Sequence, residues 1–297
     1  MQKFILSCCS TVDVPYACLA ERNIPVLFYT YLVDGKEYTD DMGRDPEALP
    51  RFYRFLSEGK QPQTSQINVA VYMDFFEELL QKGDVLHIAF TSGQSGSVHN
   101  AEIAARTLQE KYPQRRIVVI DSLCSSSGYG MLVDSAADLR DRGCSLDEAE
   151  QWVLQNRNTV HHQFFSSNMT QFRRTGRVSG AAATVATILN ICPIMRLDDQ
   201  GRIIAYDKVR GKKKAMEVTV DTMEQHAQGG RDYDNKCWIC HSCCENDALA
   251  LLHLLEERFP HLKGRIRICD IGTIIASHSG PGTVAVFFYG DQRPHMT

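Results

Sequence analysis

Two consecutive stretches, "DVLHIAFTSGQSGSVHN" at 84–100 and "RRIVVIDSLCSSSGYG" at 115–130, restrict the fold more than any other feature of this chain. Each is a short apolar run, then a loop of Gly, Ser and Thr, then a helical pattern, "SVHNAEIAARTLQEKY" and "GYGMLVDSAADLRDRG". Repeated units of this kind build a parallel sheet with helices on its faces. The chain opens the same way. "KFILSC" reads as a strand, "VPYACLAERN" as a helix starting near Pro15, and "IPVLFYTYLV" as a second strand. Helical patterns follow in "DPEALPRFYRFLSEG" and "NVAVYMDFFEELLQKG", both running into a glycine.

Beyond Gly143 the pattern changes. Ser145 stands three residues before Glu148, the signature of a capped helix start. Strands are expected in "HHQFFSS", "GRIIAYDKVRG", "KCWICHS", "GRIRICDIG" and "TVAVFFYG", with helices over 182–191, 212–227 and 245–258. A chain of 297 residues exceeds the usual single-domain size. The expectation is therefore an α/β protein of two domains: an N-terminal parallel-sheet α/β/α domain over 1–158 and a C-terminal mixed α/β domain over 159–297.

Charge excludes several functions. With 32 Lys and Arg against 36 Asp and Glu, the formal net charge is −4, so no global field recruits nucleic acid or an anionic membrane. No apolar stretch is long enough to span a bilayer, and Asp13 and Pro15 come too early for a signal peptide; a cytoplasmic location is expected. Eleven cysteines then read as reduced thiols. One cluster, "KCWICHSCCEND", places Cys237, Cys240, Cys243 and Cys244 around His241. Its C-x-x-C spacing suits a zinc turn, whereas its Trp and Ile suit a cysteine-rich core strand. The second half of a zinc ribbon is missing, so no metal is expected.

The chemistry should lie at the strand ends. In "TSGQSGS" free backbone N–H groups and the hydroxyls of Thr91, Ser92, Ser95 and Ser97 gather at a helix start, a ready anion site. "DSLCSSSG" repeats the arrangement after the next strand, and ligands of open α/β sheets bind beyond the carboxyl ends of strands. Thr64 and Ser65 of "QPQTSQIN" either cap the following helix or join this crevice. Arg177 of "GRVSG" is either a surface turn residue or a bidentate partner for a carboxylate or phosphate. "RIIAYDKVRGKKK" is either a solvated hairpin or a docking patch for an acidic partner. "GQSGS" misses the final glycine of a nucleophile elbow, leaving a serine hydrolase using Ser95 and His278 as the rival reading. No nucleotide-binding loop is present. In "TIIASHSGPGTVAVFFYG" His278 precedes a Gly-Pro-Gly turn, where the chain reads as leaving one strand and entering another.

Eight segments occurring in order, "CSTVDVP", "TSQ", "SGQSGSVHNA", "VIDSLCSSSGYG", "RRTGRVSG", "ILNICPIM", "KVRGKKKA" and "SHSGPGTVAVFF", resemble the bacterial DegV family of fatty-acid-binding proteins. Some members of that family are the acyl-carrying subunit of fatty acid kinase. The resemblance implies a long-chain fatty acid in an apolar tunnel, its carboxylate at the interdomain crevice near Thr64, Ser65, Ser95, Gly96 and His278. Arg177, Ser279 and Gly280 would support the head group, Lys208 and Arg210 would dock a kinase, and the small residues of "AAATVATILNICPIM" would line the tail. It implies a lipid-binding subunit that is not itself an enzyme, with no cofactor beyond its fatty acid. The chain departs from the family pattern at Cys9, where the family has Asp, and at Cys192, where Lys is common. These departures leave open a divergent lipid-binding paralogue without a kinase partner.

Overall fold

The computed structural model describes residues 4–179 and 190–295. The chain opens with β1 (Ile5–Cys9), α1 (Tyr16–Glu21) and β2 (Val26–Leu27). It continues through β3 (Thr30–Val33), β4 (Lys36–Thr39), α2 (Ala48–Ser57), β5 (Gln63–Thr64) and α3 (Val69–Leu80). Next come β6 (Val85–Ala89), α4 (Ser97–Lys111), β7 (Ile117–Asp121), α5 (Ser126–Asp141) and α6 (Leu146–Asn156). The second half comprises β8 (Val160–Ser166), α7 (Thr170–Thr175), β9 (Val178–Ser179), β10 (Ile191–Leu197), β11 (Ile203–Arg210) and α8 (Lys212–His226). It ends with β12 (Cys237–His241), α9 (Glu245–Arg258), β13 (Arg267–Asp270), α10 (Thr273–Ser279) and β14 (Thr283–Tyr289).

A four-stranded parallel sheet, ordered β2-β1-β6-β7, carries the first half. Its central strand β6 is buried throughout, as expected where helices cover both faces. A seven-stranded mixed sheet, ordered β13-β12-β14-β8-β10-β11-β9, carries the second. The α/β expectation thus holds, with an N-terminal parallel sheet and a C-terminal mixed one. Helix α5 belongs to the first half yet also lies against β12 and β14 of the second, so the two sheets share a helical layer. The capping box of α6 forms as its sequence predicts, Ser145 and Glu148 each accepting from the other's backbone N–H.

Two expectations fail for identifiable reasons. The apolar run 24–33 is not one strand: β2 joins the parallel sheet, while β3 pairs with β4 and β5 in a separate antiparallel sheet. The chain leaves the first sheet where the Tyr29 N–H turns to the Ser10 hydroxyl at 3.1 Å. The run 273–279 is the helix α10, although its Thr and two Ile favour a strand. Tertiary capping decides the contest. Asp40 accepts from the Thr273 N–H at 3.0 Å and its hydroxyl at 2.8 Å, and Asp13 accepts from the Gly272 N–H at 3.0 Å. These buried carboxylates satisfy orphan donors at the helix start. Of the predicted helix 182–191, residues 182–189 lie outside the described residues and Ile191 begins β10.

Candidate functional site

A cavity of about 350 Å3 opens at the carboxyl end of β6, between the parallel sheet and the mixed sheet. That volume lies in the range of small-molecule sites. The walls follow from strand and helix periods. On β14 the alternate residues Thr283, Ala285 and Phe287 face the cavity, and on the paired strand β8 so do His162 and Phe164. On the other side Ile271, Ile274, Ile275 and His278 recur at helical spacing through α10. Phe172 stacks on Phe164, and Phe90, Leu197 and Ile203 complete an apolar lining.

One end is polar. His278, near the last turn of α10, shares a hydrogen bond between its Nε2 and the Thr64 hydroxyl at 2.9 Å. Four buried polar atoms on the cavity lining have no hydrogen-bond partner of ordinary geometry among the described residues: Thr11 Oγ1, Tyr29 Oη, His278 Nδ1 and Ser279 Oγ. The Tyr29 hydroxyl lies beside those of Ser95, Ser97 and Tyr72 without a bond of ordinary geometry. Orphaned polar atoms are costly in an apolar interior, so their convergence on a cavity marks where a polar ligand group belongs. Burial, and secondarily the charges of Arg177 and Arg174, push the His278 pKa down to about 4. The imidazole is therefore neutral at pH 7, with one nitrogen able to donate and the other to accept.

The other predicted residues gather at the same place. Ser65 and Arg177 are exposed at the cavity rim, and Ser95 and Gly96 line it where the 90–96 loop enters α4. The Ser95 hydroxyl donates to that of Ser97 at 3.2 Å. Gly280 ends α10 with a φ of 68°, left-handed backbone, and a Cβ there would lie 2.9 Å from Gln171. Thr64 and Ser65 do not cap α3; Asn68 does, accepting from the Val71 N–H at 3.0 Å. Lys208 and Arg210 lie elsewhere, exposed on β11, with no ion-pair partner among the described residues.

Three further expectations are corrected or bounded. Of the segment 181–195 expected to line the tail, 181–189 lie outside the described residues, while Cys192, Ile194 and Met195 are buried in β10 and are not part of the lining. Among the described residues the apolar wall comes mainly from β8, β14 and α10. In the Cys237–Cys244 cluster, Cys237 and Cys240 are three apart in a strand, hence on opposite faces, and both are buried. Cys240 Sγ lies 3.4 Å from the Ser126 hydroxyl and Cys244 Sγ 3.3 Å from the Thr283 carbonyl. Ser95 and His278 share the cavity, but among the described residues no hydrogen bond joins them and no carboxylate orients the imidazole as a nucleophile–base–orienter chain requires.

The DegV family of uncharacterised proteins matches residues 9–291. A DegV domain-containing protein of Clostridium perfringens is 35% identical over 99% of this chain and 99% of its own length. A DegV family protein of Thermus thermophilus whose structure is described by its fatty acid binding is 26% identical, covers 97% of this chain and 99% of its own, and superposes with a TM-score of 0.85. A fatty-acid-binding DegV family protein from Streptococcus agalactiae is 25% identical with full coverage of both chains and a TM-score of 0.81.

Proposed function

Because this chain belongs to the DegV family, we propose that its cavity holds a long-chain fatty acid, with the carboxylate among Thr64, Ser65, Ser95, Gly96 and His278. The carrying observation is that one cavity combines an apolar wall with four buried polar atoms that lack a partner among the described residues. A carboxylate taken from water is tolerated only where several donors meet it. The Thr11, Tyr29 and Ser279 hydroxyls and the His278 imidazole supply them, and Arg177 at the rim adds long-range positive charge. The acyl chain then runs along Phe164, Phe172, Ile271, Ile274 and Phe287.

The protein acts as a carrier rather than a catalyst. A separate ATP-dependent kinase phosphorylates the presented carboxylate, docking near Lys208 and Arg210, and the site then holds the acyl phosphate. Orienting the acceptor is a substantial share of phosphoryl transfer, which depends mainly on positioning and charge stabilisation. The absence of a Ser95–His278 bond weighs against ester hydrolysis. Native mass spectrometry of the purified full chain, followed by extraction of its cargo, tests the reading. One fatty acid per chain is expected. A protein that neither carries nor takes up fatty acid refutes it, and turnover of a fatty ester without a partner restores the hydrolase.

A further inference from the structure

On the face of the mixed sheet opposite the cavity, three segments bring together the side chains of His161, His226 and Asp291. His161 is in β8, His226 is the last residue of α8, and Asp291 follows β14. The His161 Nε2 lies 3.0 Å from one Asp291 carboxylate oxygen, and the His226 Nδ1 lies 3.0 Å from the other. All the donor atoms lie within 4.8 Å of one another. We propose that His161, His226 and Asp291 form a binding site for a divalent transition-metal ion of the zinc type, separate from the lipid cavity.

The donors suit such an ion. Two imidazole nitrogens and one carboxylate oxygen are borderline ligands that zinc, cobalt and nickel accept, and three protein ligands leave a fourth position for water. Metal–ligand bonds of about 2.0–2.1 Å place tetrahedral donors about 3.3 Å apart, close to the two His–Asp separations of 3.0 Å. The rings are also held in place. His161 stacks between Phe288, at 4.9 Å between centroids, and His226, at 5.2 Å. The backbone closes around them: the Asp291 N–H donates to the His226 carbonyl at 3.0 Å, and Ala227 bridges Gly290. Gly290 is required by this approach, since a Cβ there would come within 2.3 Å of the His226 carbonyl and 2.8 Å of the His161 ring. His226 and Asp291 are partly exposed, so an ion can enter from solvent and small rotations complete the geometry.

A bound ion would tie the segment after β14 to the end of α8. Arg293 in that segment reaches the Leu123 carbonyl at 2.8 Å and approaches His162, on the cavity wall, at 3.4 Å, so the site is joined to the lipid pocket through covalent neighbours.

The test uses tag-free full-length protein stripped with chelator and titrated with cobalt(II), followed by its visible d–d absorption, with zinc as competitor. The expected result is saturation at one equivalent without the near-ultraviolet charge-transfer band of a cobalt–thiolate bond, and displacement by zinc. His226→Ala and Asp291→Asn, both at partly exposed positions that leave the core intact, should each weaken binding at least tenfold. Neither should alter the fatty acid content measured in the same samples, which keeps this outcome distinct from that of the lipid reading. Absence of saturable binding overturns the proposal, as does a thiolate band or wild-type affinity in both variants.

Discussion

The two Ser-rich loops that follow β6 and β7 look alike in sequence and behave differently in the fold. After β7 the hydroxyls are consumed by structure. Ser122 donates to the Cys124 carbonyl at 3.1 Å, Ser127 to the Asp13 carbonyl at 2.9 Å, and Ser126 to the Asp13 carboxyl. The Ser125 N–H donates to His162 at 3.1 Å. After β6 the Gln94 amide donates to the Gly201 carbonyl at 3.1 Å and the Ser92 N–H to Asp121 at 3.1 Å, while the Ser95 hydroxyl goes to Ser97, which accepts from the Ile67 N–H at 3.1 Å. Among the described residues the Ser95 hydroxyl bonds only to Ser97, so its O–H is free to turn toward an acceptor in the cavity. Both loops reach the cavity, but the second loop's Ser125 and Ser126 line it with hydroxyls turned to Gln94 and Asp13, whereas the first loop's Ser95 hydroxyl is held only by Ser97.

The largest effect that could break this comparison is expected from Ser126→Ala. It removes a hydrogen bond from Asp13, whose carboxyl is buried and held well above the usual carboxylate range by desolvation and by the charge of Asp40. Leaving a buried polar group short of a partner costs roughly 1–3 kcal/mol, so thermal unfolding should move down by several degrees while lipid stays bound. Loss of lipid with unchanged stability would make the second loop a binding loop after all. Next comes His278→Gln, which takes the central donor from the proposed head group. Hydrogen bonds to charged groups are worth roughly 1.5–3 kcal/mol, or about a tenfold to hundredfold loss of fatty acid affinity, read by titration with a fluorescent fatty acid. Retained affinity would move the carboxylate elsewhere. Ser95→Ala, one hydroxyl among several, should cost tenfold or less and leave the unfolding temperature within about a degree or two. A stability loss matching that of Ser126→Ala would erase the distinction between the loops.

Much of this was legible in the chain, for physical reasons. The β-loop-α units at 84–112 and 115–143 announce a parallel sheet because buried strands and capped helices leave local signatures, and the Gly/Ser/Thr loops lie where such sheets bind ligands. Thr64, Ser95 and His278, which the structure brings to one cavity, were singled out through the resemblance and loop chemistry, since Thr64 and His278 meet across 214 residues of sequence. The helix α10 was missed because its caps, Asp13 and Asp40, are more than 230 residues away from it in sequence. Without those partners "TIIAS" reads as a strand. The difference between the two serine loops was equally hidden: it depends on whether Asp13 or a cavity lies opposite. The Tyr29 and Thr11 hydroxyls, the other orphans of the site, gave no signal, for a lone Tyr or Thr beside an apolar run is ordinary core.

The smallest expected effect is in pH dependence, and it sharpens the contrast between two histidines. His162, beside the second loop, and His278, beside the first, are both kept neutral by burial, His162 also by the charge of Arg293. The pKa of His278 falls from 6.5 to about 4 in the folded protein, so between those values the unfolded chain binds the proton and the folded chain does not. Stability therefore rises with pH across that window and is lost as pH falls through it. Lipid-free His278→Gln should show a flatter decline of unfolding temperature between pH 6.5 and 4 than the lipid-free parent, with the remaining decline due to groups such as His162. A bound carboxylate adds negative charge beside His278 only, raising its pKa toward the unfolded value, so fatty acid should flatten the parent's curve and leave the variant's unchanged in slope. Equal flattening in both proteins would place the carboxylate beyond electrostatic reach of His278 and would favour the rim near Arg177 as its true position.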